Sequence, residues 1–296
     1  MKSTSIHSLN ADRGLSKLKK IAYLFLNWVN NLFPYSNVDS RIDFKKFSPK
    51  NLDNHWDKTY PTSSAARKLS DIFWRSLPWA EFKSELGSLH LFDTGCGHGN
   101  YSTRIADGSG WIIDSYTGID AKRRENWQEI EAKFPNFKFV ESRSNDILPL
   151  IPPETNVFIS QSAIEHFDED LRFFEQVKEF IDKSNKPAMQ IHLFPAGATL
   201  PLYLFHGLRQ YTPRTISKIT KLFRDAKEIS LYGLGGKNSF WLHFKYFTWP
   251  VLITRKYIKP TFDELEYEPK LKEAVKKDLS TNIRSPLFWA LIIKSK

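Results

Sequence analysis

Residues 89–100 constrain this chain more than any other stretch: L-H-L-F-D-T-G-C-G-H-G-N sets a short apolar run, an acid and three alternating glycines side by side. This is the pattern of a buried strand, predicted over 89–92, that turns sharply beneath a nucleotide-like ligand and enters a helix. Gly95, Gly97 and Gly99 suit that turn because glycine takes positive φ without penalty and lets backbone N–H groups approach a ligand closely.

The spacing separates the possible ligands. A dinucleotide fingerprint G-x-G-x-x-G beginning at Gly95 needs a sixth-position glycine, and Asn100 stands there. A phosphate-binding P-loop would close on G-K-[ST], which does not follow. Asp93 would repel phosphate oxygens and suits a ligand that carries positive charge. D-x-G-x-G-x-G resembles motif I of the class I S-adenosylmethionine-dependent methyltransferases, small-molecule branch, whose cofactor bears an ammonium and a sulfonium. The resemblance implies a Rossmann-like, doubly wound α/β fold with seven strands, the last antiparallel, and S-adenosylmethionine as cofactor. It puts Asp93, Gly95, Gly97 and Gly99 on the cofactor side. Cys96, the single cysteine, is read as a small residue of that same turn.

The chain of 296 residues is long enough for one large domain with additions. Its net charge of +10 favours an anionic partner, whether nucleic acid, an acidic glycan or a membrane surface, without choosing among them. One cysteine allows no internal disulfide and fits a reducing compartment.

The N-terminal part, 1–52, divides into three. Residues 1–14 are polar and expected to be disordered. Over 15–33, Leu15, Leu18, Ile21, Phe25, Trp28 and Leu32 recur at helical spacing behind Lys17, Lys19 and Lys20, so one face is apolar and its N-terminal end basic. The apolar run is too short to span a bilayer, and no small-residue cleavage site follows it. Such a helix either docks on its own domain or lies on an anionic membrane surface. Residues 34–52, with Pro34, Pro49 and many charges, read as a linker or surface arm.

The methyltransferase-like domain is expected over 53–296. Ahead of motif I, the resemblance hints that Trp56 or Tyr60 lies over the cofactor, although both could equally pack a helix start. After the glycine turn comes a helix over 101–106, then a strand over 116–120 that ends in Asp120, the place from which a carboxylate accepts ribose hydroxyls in nucleotide folds. A third strand, 137–140, is followed by Ser142-Arg143-Ser144-Asn145-Asp146. Asp146 is the candidate for the adenine side, with Arg143 nearer that place in a gapless alignment.

The fourth strand, 156–160, leads through Ser160 and Gln161, placed on the cofactor side, to Glu165-His166. The resemblance sets this turn and motif I in one crevice, where ligands bind in open α/β sheets. His166 is then a candidate general base, its near-neutral pKa suited to the task. The alternative is that Glu165 and His166 only fix a helix start. Ubiquinone-pathway O-methyltransferases, which this segment also resembles, bind a divalent metal through an additional glutamate where Ser162 stands, so no metal is expected. The fifth strand, 188–194, contains His192, and the stretch after it contains His206. Both are further base candidates.

The last two strands, 228–231 and 288–293, form an antiparallel edge hairpin in this family, usually with a short connection. Here roughly fifty residues intervene. The insertion, 233–285, is rich in aromatic and basic residues and is read either as a cap that supplies the acceptor site or as a satellite core. Residues 264–279 read as a polar helix facing solvent.

The resemblance, with the charge and the basic helix, implies a cytoplasmic methyltransferase acting on a small molecule or a glycan or lipid-linked precursor, peripheral at the inner membrane face if that helix binds there. The rival reading is an RNA methyltransferase or a non-catalytic methyltransferase-like binding protein. Against nucleic acid, [ND]-P-P-[FYW] is absent after strand four, and Cys96 lies in the glycine turn, away from where a ring-methylating nucleophile would stand.

Overall fold

The computed structural model describes residues 6–60, 63–143, 146–254, 264–281 and 284–295. Its centre is one sheet of β1 (Ile42–Lys46), β2 (His90–Thr94), β3 (Ser115–Asp120), β4 (Phe137–Glu141), β5 (Val157–Gln161), β6 (Ala188–Pro195), β7 (Glu228–Leu234) and β8 (Phe288–Ser295). The spatial order is β1-β7-β8-β6-β5-β2-β3-β4. β8 runs antiparallel to both its neighbours, and the other described pairings are parallel. Helices α1 (Lys17–Asn30), α2 (Leu52–Asp57), α3 (Ala65–Ser76), α4 (Trp79–Leu86), α5 (Asn100–Gly108), α6 (Asn126–Lys133), α7 (Asp170–Ser184), α8 (Pro213–Thr220), α9 (Lys237–His243), α10 (Trp249–Thr254) and α11 (Glu264–Leu279) surround it.

Side-chain alternation explains why the central strands read as continuous apolar runs, since both faces of the sheet are covered. In β8, Phe288, Ala290 and Ile292 join the core shared with Leu69, Ile72 and Ile105 of α3 and α5. Trp289, Leu291 and Ile293 join the opposite core with Phe174, Val177 and Ile216 of α7 and α8. Strand order reverses between β2 and β5, and the carboxyl ends of β2, β3 and β5 meet there.

The doubly wound sheet and its antiparallel last strand are as the sequence implies, with an eighth strand added. β1 comes from the segment read as linker or surface arm and pairs in parallel with β7, Ile42 opposite Ile229. It is short and charged, as edge strands tend to be. Its place is set by partners remote in sequence: Lys45 Nζ meets Glu228 at 2.6 Å, and Arg41 donates to the carbonyls of Thr220 and Phe223.

Two helices present faces other than their sequences suggest. α11 is polar in composition, yet it buries Tyr267, Leu271, Ala274 and Val275, a stripe at helical spacing. It is therefore not a solvent-facing helix, and Asp278 from its last turn accepts the N–H groups of Gly236, Asn238 and Ser239 at the start of α9. α1 does the reverse. It buries Tyr23, Asn27 and Asn30, while Leu18, Ile21, Phe25 and Trp28 stand 54–81% exposed.

Residues 6–14, expected to be disordered, form a strap that includes a turn of 3-10 helix at Ala11–Arg13. Ala11 N–H donates to Gly207 O at 2.8 Å, which ties the strap to the loop after β6.

Candidate active site

The glycine turn between β2 and α5 is held by its neighbour strand. Gly95 and Cys96 both donate to Ile119 O, at 2.8 and 3.0 Å, and Gly97 N–H donates to Asp120 Oδ2 at 3.0 Å. Gly95 has φ +81°, and a Cβ there would stand 2.4 Å from Ala163 Cβ, so the turn lies directly against the segment after β5. Gly97 has φ +55° with no atom within 4 Å of where a Cβ would point. That open side faces a cleft of about 750 Å³.

The cleft brings together Gly95, Gly97 and Asp120 on one wall and Ser162, Ala163 and His166 on the other. Asp120 also accepts from Lys122 N–H at 3.1 Å, so each carboxylate oxygen holds one backbone donor and keeps a lone pair for a ligand. Arg143 lines the cleft, whereas Asp146 is exposed and does not. Gly99 packs behind the turn, where a Cβ would meet the Phe139 ring at 2.8 Å.

Five further residues singled out from sequence, Asp93, Cys96, Ser160, Gln161 and His192, do not line the cleft. Asp93 is buried beneath the turn, accepts the Tyr116 hydroxyl at 2.5 Å, and has no hydrogen-bond partner for Oδ1 among the described residues. Burial pushes its carboxyl up to about 7. The Cys96 thiol points under the loop towards Gly118, and burial raises its pKa far above the ordinary thiol range. Ser160 is fully buried and shares a 2.9 Å hydrogen bond with His192 Nδ1. Gln161 Oε1 accepts from Trp74 Nε1 at 2.7 Å. Burial lowers His192 to about 3, which removes it as a base near neutrality. Trp56 is buried beneath Lys68, its ring 4.8 Å from Nζ, and Tyr60 is exposed; neither lines the cleft.

His166 and His206 stand edge to face with ring centroids 4.6 Å apart. Glu165, fully buried, accepts from the Ser162 hydroxyl at 2.7 Å. Glu165, His166 and His206 offer three possible ligand atoms within 4.8 Å of one another, a spacing that a cation could bridge. Beneath them, Arg209 donates to Phe167 O at 2.9 Å and pairs with Asp170 at 3.1 Å, which fixes the chain around His166.

Sequence reasoning missed several groups here. Ser162 takes φ +54°, a conformation that its residue type does not advertise. Asp12 and Arg13, from the strap, reach the same place. Asp12 Oδ2 lies 2.5 Å from His166 Nδ1, and Arg13 pairs with Asp168 at the cleft edge. No sequence signal links residues about 150 positions apart.

The chain has the class I S-adenosylmethionine-dependent methyltransferase fold. The strand order around the switch point, together with antiparallel β8, decides it. No protein-family model matches the chain, and no curated protein matches it. Among solved structures, it is similar to the [4+2]-cyclase SpnF, with a TM-score of 0.50 and 12% identity over 81% of this chain and 85% of that one. It is also similar to a putative sarcosine dimethylglycine methyltransferase from Galdieria sulphuraria, with a TM-score of 0.48 and 13% identity, covering 94% and 98% of the two chains. The plantazolicin methyltransferase BamL, solved with a triazolic desmethylPZN analogue and SAH, gives 0.47 and 14% over 82% and 89%.

Proposed function

We propose that this protein is an S-adenosylmethionine-dependent methyltransferase that methylates an oxygen of a small molecule or of a glycan or lipid-linked precursor. The observation that carries the reading is that Gly97, Asp120 and His166 line one cleft, with the Gly97 side of the turn open. SAH bound to the neighbour BamL is in keeping with it.

The residues present fit the cofactor. Asp120 keeps lone pairs for ribose hydroxyls, Gly97 leaves its side of the turn open, and buried Asp93 adds an unpartnered oxygen beneath it. When bound, S-adenosylmethionine supplies a methyl group already activated on sulfonium. The chain's own tasks are then to align the acceptor and take its proton. His166 is the base in this reading, with His206 beside it.

The proposal includes peripheral contact with an anionic membrane at its cytoplasmic face. No helix among the described residues is long and apolar enough to cross a membrane. α1 instead turns Leu18, Ile21, Phe25 and Trp28 outwards, with Lys17, Lys19 and Lys20 at its start. Each such lysine contributes about 1 kcal/mol near an anionic surface.

Calorimetry with S-adenosylmethionine and its demethylated product tests the cofactor reading; no binding of either at millimolar concentration overturns it. Co-sedimentation with anionic and neutral vesicles tests the membrane part. The full chain should pellet with anionic vesicles, and a variant with Leu18→Ser, Ile21→Ser, Phe25→Ser and Trp28→Ser should not. Equal binding by both removes the membrane from the proposal.

A further inference from the structure

The strap ahead of α1 reaches the candidate base directly. Asn10 is buried, and its side chain accepts from Asp12 N–H at 3.1 Å and donates to His166 O at 3.2 Å. Asp12 Oδ1 accepts from Gly207 N–H at 3.0 Å, and Ala11 N–H donates back to Gly207 O at 2.8 Å. Tyr23 of α1 donates its hydroxyl to His206 O at 3.2 Å. The carboxylate of Asp12 is thus held by backbone at one oxygen and presents the other to His166 Nδ1. This is unlike an exposed ion pair between two free side chains, whose geometry is loose.

We propose that Asp12 is a positioning residue for His166, so that the N-terminal strap completes the active site. The inference rests on the reading of His166 as the general base.

An ionised carboxylate only accepts hydrogen bonds, so it requires the proton of neutral His166 on Nδ1. The lone pair is then on Nε2, the ring nitrogen away from Asp12, 3.9 Å from Glu165 Oε1. In the proposed step, the acceptor oxygen would take the methyl group as its bond to the sulfonium sulfur breaks, the electron pair leaving with the demethylated cofactor, and Nε2 takes the proton of the acceptor hydroxyl. The resulting imidazolium is stabilised by Asp12, which stays ionised. Among the described residues His206 has no such partner for its own ring, with Asp12 Oδ1 3.9 Å from Nδ1. Of the two histidines, only His166 is held in one tautomer by a fixed acceptor.

The test is nitrogen-15 NMR of histidine-labelled full-length protein, with EDTA and with the demethylated cofactor, across pH. In the natural chain, neutral His166 should carry its proton on Nδ1. Asp12→Asn should lose the fixed tautomer of His166, with Nε2–H signals appearing; Asp12→Glu should restore it in part. Asp12→Ser, which leaves the contacts of Asn10 and Ala11 in place, should lose the fixed tautomer likewise and serves if Asp12→Asn is poorly folded. An unchanged tautomer in Asp12→Asn overturns the proposal. Affinity for the demethylated cofactor should not change in any of these chains, so a failure of the cofactor reading would be seen separately.

Discussion

The two walls of the cleft are built in opposite ways. The cofactor-side wall is local: Gly95, Gly97 and Asp120 lie within 26 residues and are joined by three backbone-linked hydrogen bonds. The other wall presents His166 beside Ser162 and Ala163, and His166 in turn contacts Asp12, Glu165 and His206, so this side is drawn from three separate parts of the chain. A local wall is specified by the conformational needs of a few consecutive residues. A composite wall exists only when distant segments are docked, so it can be altered without disturbing the first.

The comparison can be broken most severely at Gly95. Gly95→Val forces a side chain into Ala163 at a positive φ, and both walls should fail together. Calorimetry should show no cofactor binding, with unfolding at lower temperature, since strain and overpacking each cost about 1–3 kcal/mol. His166→Gln should break the acceptor side alone. Methyl transfer should fall by about 10²–10⁴-fold, the usual worth of a general base, with affinity for the demethylated cofactor unchanged. Asp120→Ala should break only the cofactor side, weakening binding by about 1.5–3 kcal/mol. Unchanged affinity would remove Asp120 from the site.

The smallest effect expected is on stability as pH changes. Asp12 is held down to about 2: burial opposes this, but the hydrogen bonds from His166 and Gly207 prevail. Its contribution is therefore complete above the ordinary value of 3.8 and is lost as pH falls towards 2. His166 is raised, so its contribution is complete below 6.5 and is lost as pH rises through its folded value. Thermal unfolding of the natural chain minus that of Asp12→Asn should therefore differ most between these limits. A difference independent of pH would mean that Asp12 acts only as a surface hydrogen-bonding group.

Legibility in the sequence follows the same division. The turn at 95–99 was readable because glycine spacing, a preceding acid and a second acid after the next strand each have a local physical cause. Asp146 was not readable, because the loop after β4 has no such constraint and Arg143 reaches the cleft instead. Ser160 and Gln161 fell on the right strand but their side chains turn to His192 and Trp74. A period of two fixes which side a strand residue takes only when one face is plainly polar, and β5 is buried on both.

α1 and α11 extend the lesson to helices. Periodicity located the apolar stripe of α1 correctly, yet the chain docks it through Tyr23, Asn27 and Asn30. Composition described α11 as polar, yet its narrow stripe of Tyr267, Leu271, Ala274 and Val275 is enough to pack it. A pattern states which faces a helix has, whereas the partners available decide which one is covered.

By itself, then, the sequence determined the doubly wound sheet, the antiparallel last strand, the glycine turn and the acid that closes it. The turn and its acid follow from the conformational needs of near neighbours, whereas the sheet and its antiparallel last strand were legible only through the resemblance to a known family. Only the tertiary structure decided that residues 42–46 add an eighth strand, that α1 faces outwards, and that Asp12 meets His166. Those outcomes depend on hydrogen bonds and packing between segments more than 150 residues apart, which no local pattern encodes.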